Sequence, residues 1–88
     1  MKIVSGFVKT NIDGKAVVVS VGGATNIFNG MIKLNELGEI IWDLLENNVE
    51  NKEVILNKIC DTYDVDLDIA KRDLDNFLGM LEEKGIIE

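Results

Sequence analysis

The sequence predicts an α+β fold of winged helix-turn-helix type, a three-stranded antiparallel sheet followed by three helices. Three observations point there. Apolar residues are β-branched and strand-like from Ile3 to Leu34, then recur with a helical period as far as Lys84. Gly, Asn and Asp fall at the junctions where turns and helix caps need them. The chain has 88 residues of which 47% are apolar, enough for one modest core. A single domain over residues 1–88 is expected, with strands over about 3–34 and helices over about 35–84.

Phe7–Thr10 and Ala16–Val21 flank a turn in which Asp13-Gly14 is a strong hairpin signal, because Gly tolerates positive φ. Val17-Val18-Val19 is apolar on both faces, the pattern of a middle strand in a covered sheet. Gly22 to Asn26 reads as a loop and Ile27–Leu34 as the third strand. Within it Phe28, Ile32 and Leu34 share one face, while Ile27, Asn29, Met31 and Lys33 share the other.

Asn35 is placed to cap the first helix, with Glu36 in its first turn and a stripe of Leu37, Ile40, Ile41, Leu44 and Leu45. Asn47-Asn48 ends it. Asn51 caps a second helix whose buried side is Ile55, Leu56, Ile59, Cys60 and Tyr63. Asp66 caps a third, which stops at Gly85 and carries a core stripe of Ala70, Leu74, Phe77, Leu78 and Leu81. Ile69, Asp73, Asn76 and Met80 form a second band roughly 100° round from that stripe, with Phe77 on the border. Such a mixture suits the wall of a groove. Ile69 and Met80 also fit the edge of a wide core stripe.

Composition narrows the function. Nine Lys+Arg against sixteen Asp+Glu gives a net charge of −7, which repels nucleic acid. There is no His, so the usual general base and the Ser-His and Cys-His pairs are missing. One Cys makes no internal disulfide or zinc site, and Cys60 on a buried stripe reads as structural. Asp64, Asp66 and Asp68 imitate a calcium loop. However, Ile69 stands where that loop needs Gly and Asp75 replaces the bidentate Glu, so helix capping accounts for them. No apolar run is long enough for a membrane span, and the N-terminus lacks the apolar stretch of a signal peptide. The expectation is a cytoplasmic, non-enzymatic domain without metal, cofactor or membrane contact.

Several segments then carry a resemblance. Phe28-Asn29-Gly30, Leu34-Asn35-Glu36-Leu37-Gly38, Ile41-Trp42-Asp43-Leu44-Leu45, Tyr63-Asp64-Val65-Asp66 and Asp73-Leu74-Asp75-Asn76-Phe77-Leu78 lead through Leu81 to Gly85-Ile86-Ile87. In this order and at these spacings the chain resembles the PqqD family, which includes the RiPP recognition elements, from Gly6 onward. The resemblance implies a winged-helix domain that binds the leader segment of a ribosomally made precursor peptide. The leader adds as a strand to the edge of the third strand and docks side chains against the third helix. The domain thereby delivers the precursor to a modifying enzyme, often a radical S-adenosylmethionine enzyme. Carried onto this sequence, the edge is Thr25 to Lys33, including Ile27, Phe28, Asn29, Met31 and Ile32. The cleft wall includes Asp73, Asn76, Phe77 and Met80, and the residue-level reading adds Ile69.

An edge strand offers unpaired N–H and C=O groups to an extended peptide, and usually carries charge or Pro to prevent aggregation. Thr25–Ile32 has neither, and only Lys33 stands as a gatekeeper. Strand one or the C-terminal tail covering the edge would remove the site. If the Ile32 N–H points outward, Ile32→Pro should weaken peptide binding at constant stability. Trp42 lies roughly 130° from the centre of its helix stripe, so it either packs beneath another segment or contacts the modifying enzyme or a second copy. Lys71 and Arg72 either meet acidic leader residues or are plain solvated charges. Two competing functions stand beside the adaptor: a DNA-binding or regulatory winged helix, and a structural module pairing copies into a homodimer or larger oligomer.

Overall fold

A computed structural model describes residues 1–88. The elements are β1 (Phe7–Ile12), β2 (Lys15–Ser20), a 3-10 turn (Gly22–Asn26), β3 (Met31–Lys33), α1 (Glu36–Glu46), α2 (Lys52–Thr62) and α3 (Leu67–Glu83). The sheet is antiparallel in the order β1-β2-β3, and the three helices follow it, as the sequence predicts. Asp13 and Gly14, at φ 53° and 79°, form a two-residue turn, and Ile12 pairs with Lys15. Both strands therefore run further into the predicted loop. At the other end of the chain Ile3 bridges Ile87, and Val4 N–H donates to the Ile86 carbonyl at 2.8 Å.

The helix ends follow local chemistry. Asn35 Oδ1 accepts from Gly38 N–H at 2.8 Å, and Asn51 Oδ1 from Glu53 N–H at 2.8 Å. Asp66 occupies the N-cap of α3, but its side chain makes no capping bond. Asn48, at φ 63°, follows α1, and Gly85, at φ 74°, ends α3 in the left-handed region that favours Gly.

Three expectations are corrected. The third strand is only Met31–Lys33 rather than Ile27–Leu34. Gly22 takes φ 59°, the chain winds into the 3-10 turn, and Ile27 and Phe28 donate their N–H groups back to the Ala24 carbonyl. The turn seats Ala24 in the core beside Gly6, where an added Cβ would stand 2.6 Å from Ala24 Cβ. Thr25 and Ile27 to Asn29 are thus not edge-strand residues.

Second, the outer face of the sheet is covered only in part: Val17 is 2% exposed, but its neighbours are not buried. Val18, Ile32 and Leu34 point to the core, whereas Val8, Ile12 and Met31 on the other face are 41%, 45% and 50% exposed. Third, Trp42 is fully buried, and its Nε1–H donates to Glu46 Oε1 at 2.6 Å. The buried stripe of α1 is Gly38, Ile41, Trp42 and Leu45, turned by roughly 80° from the predicted one. Gly38 carries no side chain, so this face approaches α3 closely: an added Cβ would lie 3.2 Å from Phe77 Cε1. A buried Trp42 is not a contact for a partner.

Lys9 ties the sheet to α1, its amine lying 2.6 Å from Asp43 Oδ1 and 3.3 Å from Glu39 Oε1. The hydrogen bond to Asp43 raises the Lys9 pKa above 10.5; partial desolvation opposes this and Glu39 adds to it. Because the folded value is the higher one, the contribution is complete below pH 10.5 and is lost as pH rises through the folded pKa. Lys9→Met should cost on the order of 1 kcal/mol at neutral pH. Urea midpoints of the two proteins should converge only in strongly alkaline solution; a gap that closes near neutrality would exclude this pair as its source.

Candidate functional site

β3 pairs only with β2, so one of its edges is free. The C-terminal tail pairs with Ile3 and β1 lies beyond β2, so neither covers that edge. Leu34 N–H donates to the Ala16 carbonyl at 3.0 Å, and Ile32 lies opposite Val18. N–H direction alternates along a strand, so the Ile32 N–H also points to β2. Met31 and Lys33 turn their N–H and C=O groups outward. The condition attached to the Ile32→Pro test, an outward N–H, is therefore not met, and the Ile32 side chain is only 8% exposed.

Beyond β3 the chain enters α1, and a hollow of about 290 Å³ opens between the start of α1 and α3. Asp73, Asn76, Phe77 and Met80 line it from α3; Asn35, Leu37, Gly38 and Ile41 line it from the α1 side. The α3 residues stand at i, i+3, i+4 and i+7, a single helix face. A second hollow of about 540 Å³ adjoins it, bounded by the start of α1, the end of α2 and the start of α3. Asn35, Leu37 and Asp73 belong to both, so the two form one trough along α3. Partial burial raises the Tyr63 pKa in the second hollow, and Glu36, 3.4 Å from its hydroxyl, raises it further.

The structure thus gathers Asp73, Asn76, Phe77 and Met80, but not Ile69, which is 40% exposed and outside both hollows. Met31 and Lys33 direct their side chains to the outer sheet face, beside Ile12 and Lys15. Only their backbone groups are offered at the edge. Ile27 and Phe28 sit near the far end of α3: Phe28 lies under the Lys84 amine, 4.9 Å from the ring centroid. Ile27 Cγ2 would be 2.9 Å from a Cβ at Gly85. Thr25 Oγ1 donates to the Gly22 carbonyl at 2.9 Å, a local bond, and Asn29 is exposed. Lys71 and Arg72 are exposed, with Arg72 Nε 3.9 Å from Asp73 Oδ1. No three acidic or thiol side chains converge as a metal ion requires.

The family model described as Coenzyme PQQ synthesis protein D (PqqD) matches residues 15–87. The chain belongs to the PqqD family. That match takes in β2, β3 and all three helices, so every element bordering the trough lies inside the PqqD region. A solved structure, TbiB1 in complex with the TbiA(beta) leader peptide, is 33% identical, with a TM-score of 0.80. The similarity covers 100% of this chain and 95% of that one. No curated protein matches.

Sequence reasoning missed the α1 side of the trough. Asn35 was accounted for by capping and Leu37 by the core stripe, although Leu37 is only half-buried. The overlooked signal is Gly38. A glycine inside a helix costs about 1 kcal/mol relative to Ala, which is offset where another element must come close.

Proposed function

We propose that this chain binds the leader segment of a ribosomally made precursor peptide and presents it to a modifying enzyme, without a catalytic step of its own. The observation that carries this is the full-length similarity to TbiB1, whose structure contains a leader peptide. The free edge of β3 beside a trough on α3 supports it.

The leader pairs with the outward groups of Met31 and Lys33 and places side chains between Leu37, Gly38, Phe77 and Met80. Each backbone bond contributes only about 0.5–1.5 kcal/mol net, whereas micromolar affinity needs about 8 kcal/mol. The trough must therefore supply much of the affinity as well as the specificity. Residues 1–88 act as one peptide-binding unit in the cytoplasm. The enzyme served is a radical S-adenosylmethionine enzyme, on the strength of the family resemblance. DNA binding has no comparable support, since Lys71 and Arg72 are interspersed with Asp68, Asp73 and Asp75 on a chain of charge −7.

The test is a backbone-amide NMR titration with a synthetic leader peptide taken from the nearest short open reading frame. Saturable shifts at Met31–Lys33 and Asp73–Met80 are expected. Saturable binding that leaves both segments unmoved would reject this site.

A further inference from the structure

Strand addition at β3 does not use the larger hollow beside Tyr63. Its floor is apolar, with Leu37, Ile59, Val65 and Ala70, while every charged residue lining it is a carboxylate: Glu36, Asp64 and Asp73. No Lys or Arg lines it or the adjoining hollow. The one cation within 4 Å of these carboxylates is Arg72, 3.9 Å from Asp73 with a side chain 68% exposed, too solvated to neutralise the site. Tyr63 offers Glu36 only a neutral hydroxyl, at 3.4 Å.

We propose that this hollow receives a basic side chain, Lys or Arg, from the peptide whose backbone pairs with β3. The inference rests on the leader-binding reading and adds the chemistry of one leader residue. A long cationic side chain matches both properties of the hollow, since its alkyl stem covers apolar surface while its head stays polar. Glu36, Asp64 and Asp73 line the hollow without converging on one point, so the head reaches one or two of them. Arg is favoured over Lys because its planar fork serves two carboxylates at once. Asp73 borders both hollows, so a peptide lying along α3 reaches the acidic end without leaving the trough. An acidic residue there would face carboxylates and no cation in the lining and be rejected, which gives discrimination among peptides of equal strand propensity.

The experiment selects a displayed library of random linear peptides against the intact 88-residue chain. Enriched peptides should carry Lys or Arg at a fixed spacing from an apolar residue. Changing that residue to Ala in a synthetic copy should weaken binding by about tenfold or more. The double variant Glu36→Gln/Asp64→Asn, checked for folding by circular dichroism, should bind both peptides alike. Peptides without a basic residue that still lose affinity to Lys33→Pro would occupy the trough and overturn this inference alone. Peptides indifferent to Lys33→Pro, or no enrichment, would remove the strand-addition reading and this inference with it.

Discussion

Trp42→Ala is expected to lower the free energy of unfolding by about 3–5 kcal/mol, the range for truncating a buried aromatic. A domain of this size has a total stability of only about 5–10 kcal/mol, so the variant would be close to unfolded at 37 °C. The indole is fully buried in the same cluster as Ile41, Leu45, Ile55 and Leu81, and its N–H is bonded to Glu46. Trp42→Phe separates the two contributions. It keeps most of the apolar volume and loses the hydrogen bond, so it should cost less than half as much. Guanidinium unfolding followed by far-ultraviolet circular dichroism measures both, since the only Trp is the residue removed. An unchanged midpoint in Trp42→Ala would put this side chain at the surface and restore it as an interface anchor.

Trp42 also shows where sequence periodicity stops being informative. Helix ends were legible because capping is local: Asn35, Asn51 and Gly85 each act on the backbone within a few residues. The hairpin at Asp13-Gly14 was legible for the same reason. The orientation of α1 was not, because its apolar residues exceed what one buried face accommodates. Leu37 and Leu44 are left half-buried while Gly38 and Trp42 face inward. The stripe model assumes that all large aliphatics are buried together, and a helix bordering a trough violates that assumption. The same limit applies to β2: Val17 is 2% exposed, as its apolar run suggested, yet Val8, Ile12 and Met31 on the same sheet face stay open. On α3 the sequence pattern set Ile69, Asp73, Asn76 and Met80 apart from the core stripe with Phe77 on the border, and all but Ile69 do border one hollow together with Phe77. It could not show that Ile69 lies outside, because that depends on where α1 ends its contact with α3.

Register decides the second large effect, a contrast between neighbouring positions on β3. Lys33→Pro is expected to weaken leader binding by about tenfold or more while shifting stability by less than about 1 kcal/mol. Its N–H points away from β2, so Pro removes a donor that the sheet does not use, and its ring occupies the path of an added strand. Ile32→Pro is expected to do the opposite first: it deletes a bond inside the sheet and disturbs a core side chain, costing about 3 kcal/mol or more. Lys33→Gln controls for the lost charge and should bind nearly as well as the native protein. Calorimetric titration with the leader peptide, beside thermal unfolding of each variant, separates these outcomes. If Lys33→Pro bound the leader with native affinity, the peptide would not be adding to this edge, whatever its contacts with α3. If Ile32→Pro stayed as stable as the native chain, the register itself would be wrong, and Met31 and Lys33 would face β2. A short edge makes this test sharp: with β3 only Met31–Lys33, there is no neighbouring stretch onto which an added strand could slip.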